Sequence, residues 1–356
     1  MAESVPPDQQ LQLGDKSIPE GTKAECEAIW KLLQEVTSLS VVADFLKSRK
    51  QHFSSGSWDE MLEKRIFPLI ARGMLTTNDL ASLLSEAEQF GRCHVFLYKT
   101  TKEKALQLLD DSRIKGLCEK KKTLSLLNGS VIWNTPITPT LSSIKTDTDA
   151  GNTSKTFRVL ETRSERQFLK EEIVNDIITR SWKQANVRAV NSLRLHPSGL
   201  LEIRIQSHHS STKYEADITR IWKVIGDFLP VTEFSPFSLS KAKSKLWAAR
   251  GDLTKKIRFK DSLLMNAVGT SMLTSTGDEQ GDLFADTNAS ASIDTFLEGR
   301  GAYCDSANIW FLPVENVFER EVHVLLSGQD NEFAITANCT KTEYDYVLNE
   351  LRLHSK

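Results

Sequence analysis

The stretch that decides the predicted fold is residues 187–227, with the sequence VRAVNSLRLHPSGLLEIRIQSHHSSTKYEADITRIWKVIGD. Leu201, Ile203 and Ile205 alternate with polar residues, which is the period of a strand with one buried face. The segment before them alternates in the same way, and the intervening HPSG has the composition of a tight turn. We therefore predict an antiparallel hairpin with one solvent-exposed face. That face is predicted to carry Arg188, Arg194, Glu202, Arg204 and Gln206.

An amphipathic helix is predicted directly after the hairpin. Its apolar residues recur at intervals of three and four and form one stripe. The stripe consists of Ile218, Ile221, Trp222, Ile225 and Phe228. Before the hairpin, residues 157–160 are typical of a short strand, and residues 165–182 are interpreted as a helix with apolar residues on one side.

The chain as a whole is predicted to be α+β, with an all-helical N-terminal domain followed by a mixed α/β region that contains antiparallel hairpins. We expect a disordered tail over residues 1–21 and a helical domain over residues 22–122. Residues 123–156 are interpreted as a linker or loop region, in which residues 131–133 could form a strand and residues 135–156 are rich in Thr, Ser, Asp, Pro and Gly. Residues 157–356 are assigned to a mixed α+β domain.

The C-terminal part of that domain has its own pattern. Residues 307–312, 319–326 and 331–338 are predicted to be strands. Thr340 and Glu343 then have the spacing of a capping box, so a helix is expected from there to the C-terminus. Residues 254–260 are predicted to form a further strand with a basic face.

Bulk composition excludes several classes of protein. With 356 residues, 40% hydrophobic and 26% charged, the chain is too apolar for wholesale disorder, and no apolar run is long enough to span a bilayer. The N-terminus does not have the pattern of a secretory signal. Five scattered cysteines indicate free thiols, so an intracellular location, cytoplasmic or nuclear, is expected. No phosphate-binding loop or hydrolase motif occurs, and neither a cofactor nor a metal is expected.

Charge is distributed unevenly along the chain. Residues 180–260, here called the basic segment, hold 16 Lys and Arg against 6 Asp and Glu. Residues 261–356, the acidic segment, hold 5 against 16. Such asymmetry favours an electrostatic partner, or screening of one segment by the other.

The main hypothesis is a non-enzymatic binding protein that engages nucleic acid through the basic segment and a protein partner elsewhere, because clustered Lys and Arg bind phosphate backbones by releasing counterions. The candidate nucleic-acid-binding residues are Arg188, Arg194, Arg204, Arg220, Lys223, Lys241, Lys243, Lys245, Arg250, Lys255, Lys256, Arg258 and Lys260. No membrane partner is expected.

Two other hypotheses remain open. In the first, the chain is an adaptor or assembly subunit, and its basic and acidic surfaces pair between copies or with a partner protein. In the second, it is a metal-dependent nuclease in which Glu202 and Arg204 share a strand face and Asp176 lies upstream on a helix. A divalent-ion site in the acidic loop is the weakest candidate, because the spacing departs from a calcium loop. Its residues are Asp278, Glu279, Asp282 and Asp286.

The helical domain is interpreted either as an interaction or DNA-binding module or as a bundle that docks on the rest of the chain. The order of a helical N-terminal domain and a basic mixed domain is similar to that of the centromere protein N family. No motif matches that family residue by residue, so no residue role is carried over from it.

Overall fold

The structure, a computed structural model, describes residues 18–128, 134–149, 152–174, 176–208, 213–253, 255–277, 281–299 and 301–356. Most of the predicted tail and the whole of the possible strand at 131–133 lie outside these residues. The chain divides into two units, residues 1–85 and 86–356, and each is described by itself.

The described elements of the first unit are helical. They are α1 (Glu20–Val36), α2 (Leu39–Ser48), α3 (Trp58–Met61), a π-helical turn (Leu62–Ile66), α4 (Phe67–Ala71) and α5 (Thr77–Phe90), which continues into the second unit. The Ser57 hydroxyl caps the start of α3, where it accepts a hydrogen bond of 3.1 Å from the Glu60 amide. Pro68 lies in the first turn of α4, where its missing N–H costs nothing, so the helical run restarts there.

The second unit interleaves strands and helices. Its strands are β1 (Cys93–Lys99), β2 (Thr140–Asp149), β3 (Asn152–Val174), β4 (Ile177–Leu195), β5 (Leu200–Gln206), β6 (Ser235–Pro236), β7 (Ile257–Met265), β8 (Ser271–Ser275), β9 (Tyr303–Phe311), β10 (Val322–Leu326) and β11 (Glu332–Ile335). Its α-helices are α6 (Lys102–Leu109), α7 (Asp111–Lys120), α8 (Glu215–Ile225), α9 (Ser240–Ala248), α10 (Thr287–Leu297) and α11 (Lys341–His354).

All the strands join one antiparallel sheet in the order β2-β3-β4-β5-β1-β11-β10-β9-β7-β8, and β6 pairs with β1. The mixed fold with antiparallel hairpins is therefore confirmed. The all-helical domain over residues 22–122 is not confirmed, because β1 lies within that range and pairs with β5 and β11 in the middle of the sheet. Its compact apolar run is buried on both faces of the sheet, which removes the alternation that marks a half-buried strand.

Two hydrophobic cores lie on opposite faces of this sheet, because successive side chains of β1 point in opposite directions. Val95 and Leu97 belong to a core that α9, α10 and α11 cover. Phe96 belongs to the second core, which α6, α7 and α8 cover. The two halves of the sheet are thus packed by helices on opposite sides.

The helix predicted over residues 165–182 is wrong. This segment forms the distal parts of β3 and β4, and the two strands pair as far as Val174 and Ile177. Asp176 adopts a left-handed φ of 60°, which suits a tight hairpin connection. The many β-branched residues near the connection also favour strand over helix.

Part of the predicted linker is also a strand. β2 lies within residues 135–156, where the sequence indicated a loop, and it pairs with β3. Thr-rich segments have little apolar signal, but their β-branched side chains suit a strand once a neighbouring strand supplies the hydrogen bonds. The hairpin of β4 and β5, helix α8, the three C-terminal strands and the capping box of α11 are confirmed.

Candidate interaction surface

The predicted exposed face of the β4–β5 hairpin is buried, so that prediction is wrong. Arg204 is 2% exposed, Arg194 4% and Arg188 8%. Side chains of α11 and of the C-terminal end of α5 contact this face. The local sequence pattern could not indicate this burial, because α11, which covers the face, begins well over a hundred residues after the hairpin. The part of these arginines in nucleic-acid binding stays a prediction.

A buried polar network occupies the centre of the face. The Tyr344 hydroxyl donates a hydrogen bond of 2.6 Å to Glu202, and Glu202 also pairs with His196 and Arg204. The Arg204 guanidinium lies between the rings of Phe90 and Tyr344, at 4.9 and 4.7 Å from their centroids. Such cation–π contacts stabilise a cation that has lost its water.

Electrostatics keep Glu202 ionised in this network. Burial alone raises the pKa of its carboxyl, but the charges of Arg204, His196 and Arg194 outweigh burial and hold the pKa well below its usual range. Burial, followed by the charge of Glu202, raises the pKa of Tyr344 well above its ordinary value. The phenol therefore stays protonated and serves as a hydrogen-bond donor.

Acidic partners also neutralise the remaining arginines of this face. Nη1 of Arg194 lies 3.3 Å from Oδ1 of Asp345 in α11. Arg188 and Arg158 share the carboxylate of Glu88, which is itself almost fully buried. Each buried cation thus has a counter-charge, as its loss of hydration requires.

Other candidate residues of the basic segment are paired as well. Arg220 contacts Asp217 and Glu161, Arg250 contacts Asp294, and Arg258 contacts Glu321. Lys243 is buried, and its ammonium group donates to the carbonyl oxygens of Asp305, Ser327 and Gln329. Because Asp294, Glu321 and Asp345 belong to the acidic segment, the acidic segment of the same chain screens part of the basic segment.

Five candidate lysines remain exposed. They are Lys223, Lys241, Lys245, Lys255 and Lys256. Lys245 donates to a main-chain oxygen of Lys356 at 2.6 Å, and among the described residues none of the five pairs with an Asp or Glu side chain. Lys260 is half-buried over the ring of Trp310.

The residues considered for metal chemistry have other contacts. Glu202 is fully buried in the network above, and Asp176 lies in the β3–β4 connection rather than on a helix. Asp286 caps α10, and Asp282 accepts from the Phe284 amide. Asp278 and Glu279 lie outside the described residues. Across the ranges that the structure describes, no group of three His, Cys, Asp or Glu side chains could hold a metal ion.

Sequence reasoning missed the distal part of the β3–β4 hairpin, where the structure exposes several large apolar side chains. β2 pairs with β3 only as far as Leu160, and β5 pairs with β4 only from Ser192 onward. Residues 166–174 and 176–185, here called the arm, pair only with each other among the described strands. At about 3.3 Å per residue, the arm is roughly 30 Å long.

The arm exposes six large apolar side chains. They are Phe168, Leu169, Ile173, Ile177, Ile178 and Trp182. Phe168 faces Trp182 directly with their ring centroids 6.1 Å apart, and Ile173 faces Ile178. Ile178, Arg180 and Trp182 occupy every second position of β4, so their side chains point to the same face of the arm. Both apolar pairs therefore lie on that face, and the Glu171–Arg180 ion pair lies between them. The sequence signal was present in these apolar residues, but it was assigned to a helix.

Comparison with known proteins gives no relative. No protein-family model matches the chain, and neither a curated protein nor a solved structure does. Among the described residues, no helix combines the length and the apolar character needed to cross a membrane.

Proposed function

We propose that the protein is a non-enzymatic assembly protein, and that two copies associate through their arms. The observation that carries this proposal is the arm itself, a two-stranded ribbon with an apolar strip open to solvent. An isolated two-stranded hairpin is marginally stable in water and ordinarily needs a third strand or a packed face. The arm therefore has the properties of an element that is completed by association.

The charge of the arm favours a protein over a nucleic acid as its partner. Its described residues include Arg166, Lys170, Arg180 and Lys183 against three acids, so it is almost neutral. Two of its ion pairs, Glu171 with Arg180 and Lys170 with Glu172, are satisfied within the arm. A neutral, apolar face gains little from a phosphate backbone and much from another apolar surface.

A second copy of the chain fits this face. An isologous dimer needs a self-complementary patch, and the strip has an apolar pair at each end. When two arms pack face to face and run in opposite directions, the Phe168–Trp182 pair of one copy packs against the Ile173–Ile178 pair of the other. At roughly 150–250 Å² for a large side chain, the four half-exposed side chains of the strip offer roughly 400–500 Å², about half of the ~800 Å² per partner of a standard interface, so neighbouring surface must contribute the rest.

Sedimentation equilibrium tests the proposal with matched variants of the full chain. The double variant Phe168→Ser/Trp182→Ser removes one apolar pair, and Gln167→Ser/Thr179→Ser alters the opposite face of the same arm. We expect the wild type and the control to dimerise at micromolar concentration, and the first variant to sediment as the 40.1 kDa monomer. Unchanged dimerisation of the first variant, or a monomeric wild type, would overturn the proposal.

Nucleic-acid binding is the second candidate function, and one observation favours it. Lys241 and Lys245 lie one turn apart on the exposed side of α9, and Lys255 and Lys256 precede β7. Exposed lysines without acidic partners are available to phosphates. We propose these lysines, rather than the buried arginines, as the direct phosphate contacts of any such activity.

We also propose that the helical elements before Ser85 form an interaction module of their own. The support is that the described elements there are helical and enclose buried side chains such as Ile29, Leu33 and Leu46. Limited proteolysis of the full chain tests this. Protection of the segment from α1 to α5 is the expected result, and cleavage throughout these helices would contradict it.

A further inference from the structure

A charged row interrupts the apolar strip of the arm. Glu171 of β3 lies opposite Arg180 of β4, and Nε of Arg180 lies 2.5 Å from Oε2 of Glu171. The two apolar pairs flank this ion pair on the same face, one toward the tip of the arm and one toward its root. The strip therefore has the order apolar, charged, apolar, and the charged row lies in its middle.

Water hydrates the charged row as long as the arm is free. The side chain of Glu171 is 43% exposed and that of Arg180 is 59% exposed, so their ion pair contributes little to the stability of a single chain. An apolar interface on this face removes part of the water, and the lost hydration of two charges opposes association. A contribution of the charged row to assembly therefore lies in the arrangements that it permits rather than in affinity.

Symmetry determines what each charge meets in the proposed dimer. Two arms that pack face to face and run in opposite directions are related by a two-fold axis in the interface, perpendicular to the strands. Such an axis places β3 of one copy over β3 of the other, and β4 over β4. When it passes through the middle of the strip, the two charged rows meet. Their two Glu and two Arg side chains then form one neutral group, with oppositely charged neighbours within each arm and diagonally between the arms.

Any other register separates the two charged rows. Adjacent rows of the strip are two residues apart on β4, which is about 6.6 Å at about 3.3 Å per residue. A slide by one row places each charged row against an apolar pair of the other copy, which removes water and supplies no counter-charge. A single polar position in an apolar seam fixes the register of coiled coils in the same way.

We propose, on the premise of the arm-mediated dimer, that the Glu171–Arg180 ion pair fixes the register of the two arms and selects a second copy as the partner. A partner surface without such a row buries the ion pair against apolar side chains, and it is disfavoured for that reason. Selectivity thus comes from the charged row, whereas affinity comes from the apolar pairs.

Replacement of the charged row tests the register by pulsed electron–electron double resonance. The full-length wild type and Glu171→Leu/Arg180→Leu each carry a spin-labelled unnatural amino acid in place of Thr179, which lies on the opposite face of the arm. We expect one narrow distance between the labels of the wild-type dimer. The variant should show several distances and should associate about fivefold or more tightly. A single distance shared by both dimers would overturn this inference alone, whereas a monomeric wild type would overturn the proposed assembly with it.

Reversal of the ion pair tests whether the charged rows face each other. Glu171→Arg/Arg180→Glu retains the ion pair within each arm. Because β3 lies over β3, a mixed dimer of this variant and the wild type has unlike charges directly over each other, whereas each homodimer has like charges there.

Native mass spectrometry of an equal mixture with ¹⁵N-labelled wild type should therefore show mixed dimers above their statistical share of about one half. Lys170→Glu/Glu172→Lys reverses an ion pair on the opposite face of the arm and should give the statistical share. A statistical share for both variants, or fewer mixed dimers with the first variant than with this control, would contradict opposed charged rows.

Discussion

The Tyr344 hydroxyl in α11 donates a hydrogen bond of 2.6 Å to Oε2 of Glu202 in β5, and both side chains are fully buried. This contact joins the C-terminal helix to the central hairpin across a face that the sequence pattern assigned to solvent. Together with the Arg194–Asp345 pair, it shows that α11 covers part of the basic face. The arginines of this face form buried ion pairs within the chain. The exposed apolar surface of the second unit described above lies on the arm.

Removal of the Tyr344 hydroxyl should destabilise the fold. Tyr344→Phe leaves a buried carboxylate with one donor fewer, which costs about 1–3 kcal/mol in the free energy of unfolding. Tyr346→Phe is the matched control, because the neighbouring Tyr346 is only half-buried and its hydroxyl has no hydrogen bond among the described residues. Chemical denaturation of both variants measures the difference. Equal stability of the two would contradict a role for the hydroxyl.

Acid should weaken the network through Glu202. Its folded-state pKa lies below its unfolded value of about 4.3, so the ionised carboxyl stabilises the fold above that pH and the stabilisation is lost as the pH falls. We expect the free energy of unfolding to drop from pH 6 to pH 3 more steeply in the wild type than in Glu202→Gln. Denaturation at a series of pH values provides the measurement. Parallel curves would exclude Glu202 as a contributor.

Glu88 should be among the most sensitive acidic positions in the second unit, because it neutralises both Arg158 and Arg188. Breaking a buried ion pair by removing one partner costs about 3–5 kcal/mol, so Glu88→Gln should lower the melting temperature by many degrees. Glu119→Gln, which affects only an exposed contact with Lys115, should have almost no effect. Similar melting temperatures for the two variants would argue against the shared carboxylate.

Any binding to nucleic acid should depend on exposed lysines. Lys241→Glu/Lys245→Glu should weaken binding and flatten its salt dependence, because two phosphate contacts are lost. Binding to generic single- and double-stranded DNA across a salt series, measured by fluorescence anisotropy, gives both quantities. Failure of the wild type to bind at low ionic strength would exclude this function. Arg194→Glu is uninformative as a contact test, since burial makes it a stability variant.

Local sequence patterns predicted local structure well. Alternation in Leu201, Ile203 and Ile205 placed β5 correctly, and the spacing of Thr340 and Glu343 marked the start of α11. The covering of the hairpin could not be predicted, because Tyr344 and Glu202 are 142 residues apart in the sequence. Alternation shows that two faces differ but does not reveal whether the polar face meets water or a buried counter-charge.

The secondary structure of the arm was predicted wrongly for a different reason. Phe168, Ile173 and Ile177 have spacings of four and five residues, which a helix and a bulged strand can both accommodate. The bulge between Phe168 and Lys170 breaks the period of two that would have indicated a strand. The turn at Gly199 was easier to predict from the sequence. Its φ of 94° and the close approach of the Thr100 carbonyl oxygen require a glycine, and a glycine marks such a turn in the sequence.

Amide hydrogen exchange of the arm tests the central claim most directly. The wild-type chain is compared at a dilute and at a concentrated condition that bracket its dimerisation, and Phe168→Ser/Trp182→Ser serves as the control. We predict that exchange slows with concentration in residues 166–174 and 177–185, that it stays unchanged in the buried strands β1 and β5, and that the control shows no slowing. Exchange in the arm that is independent of concentration, while the chain dimerises, would contradict arm-mediated assembly.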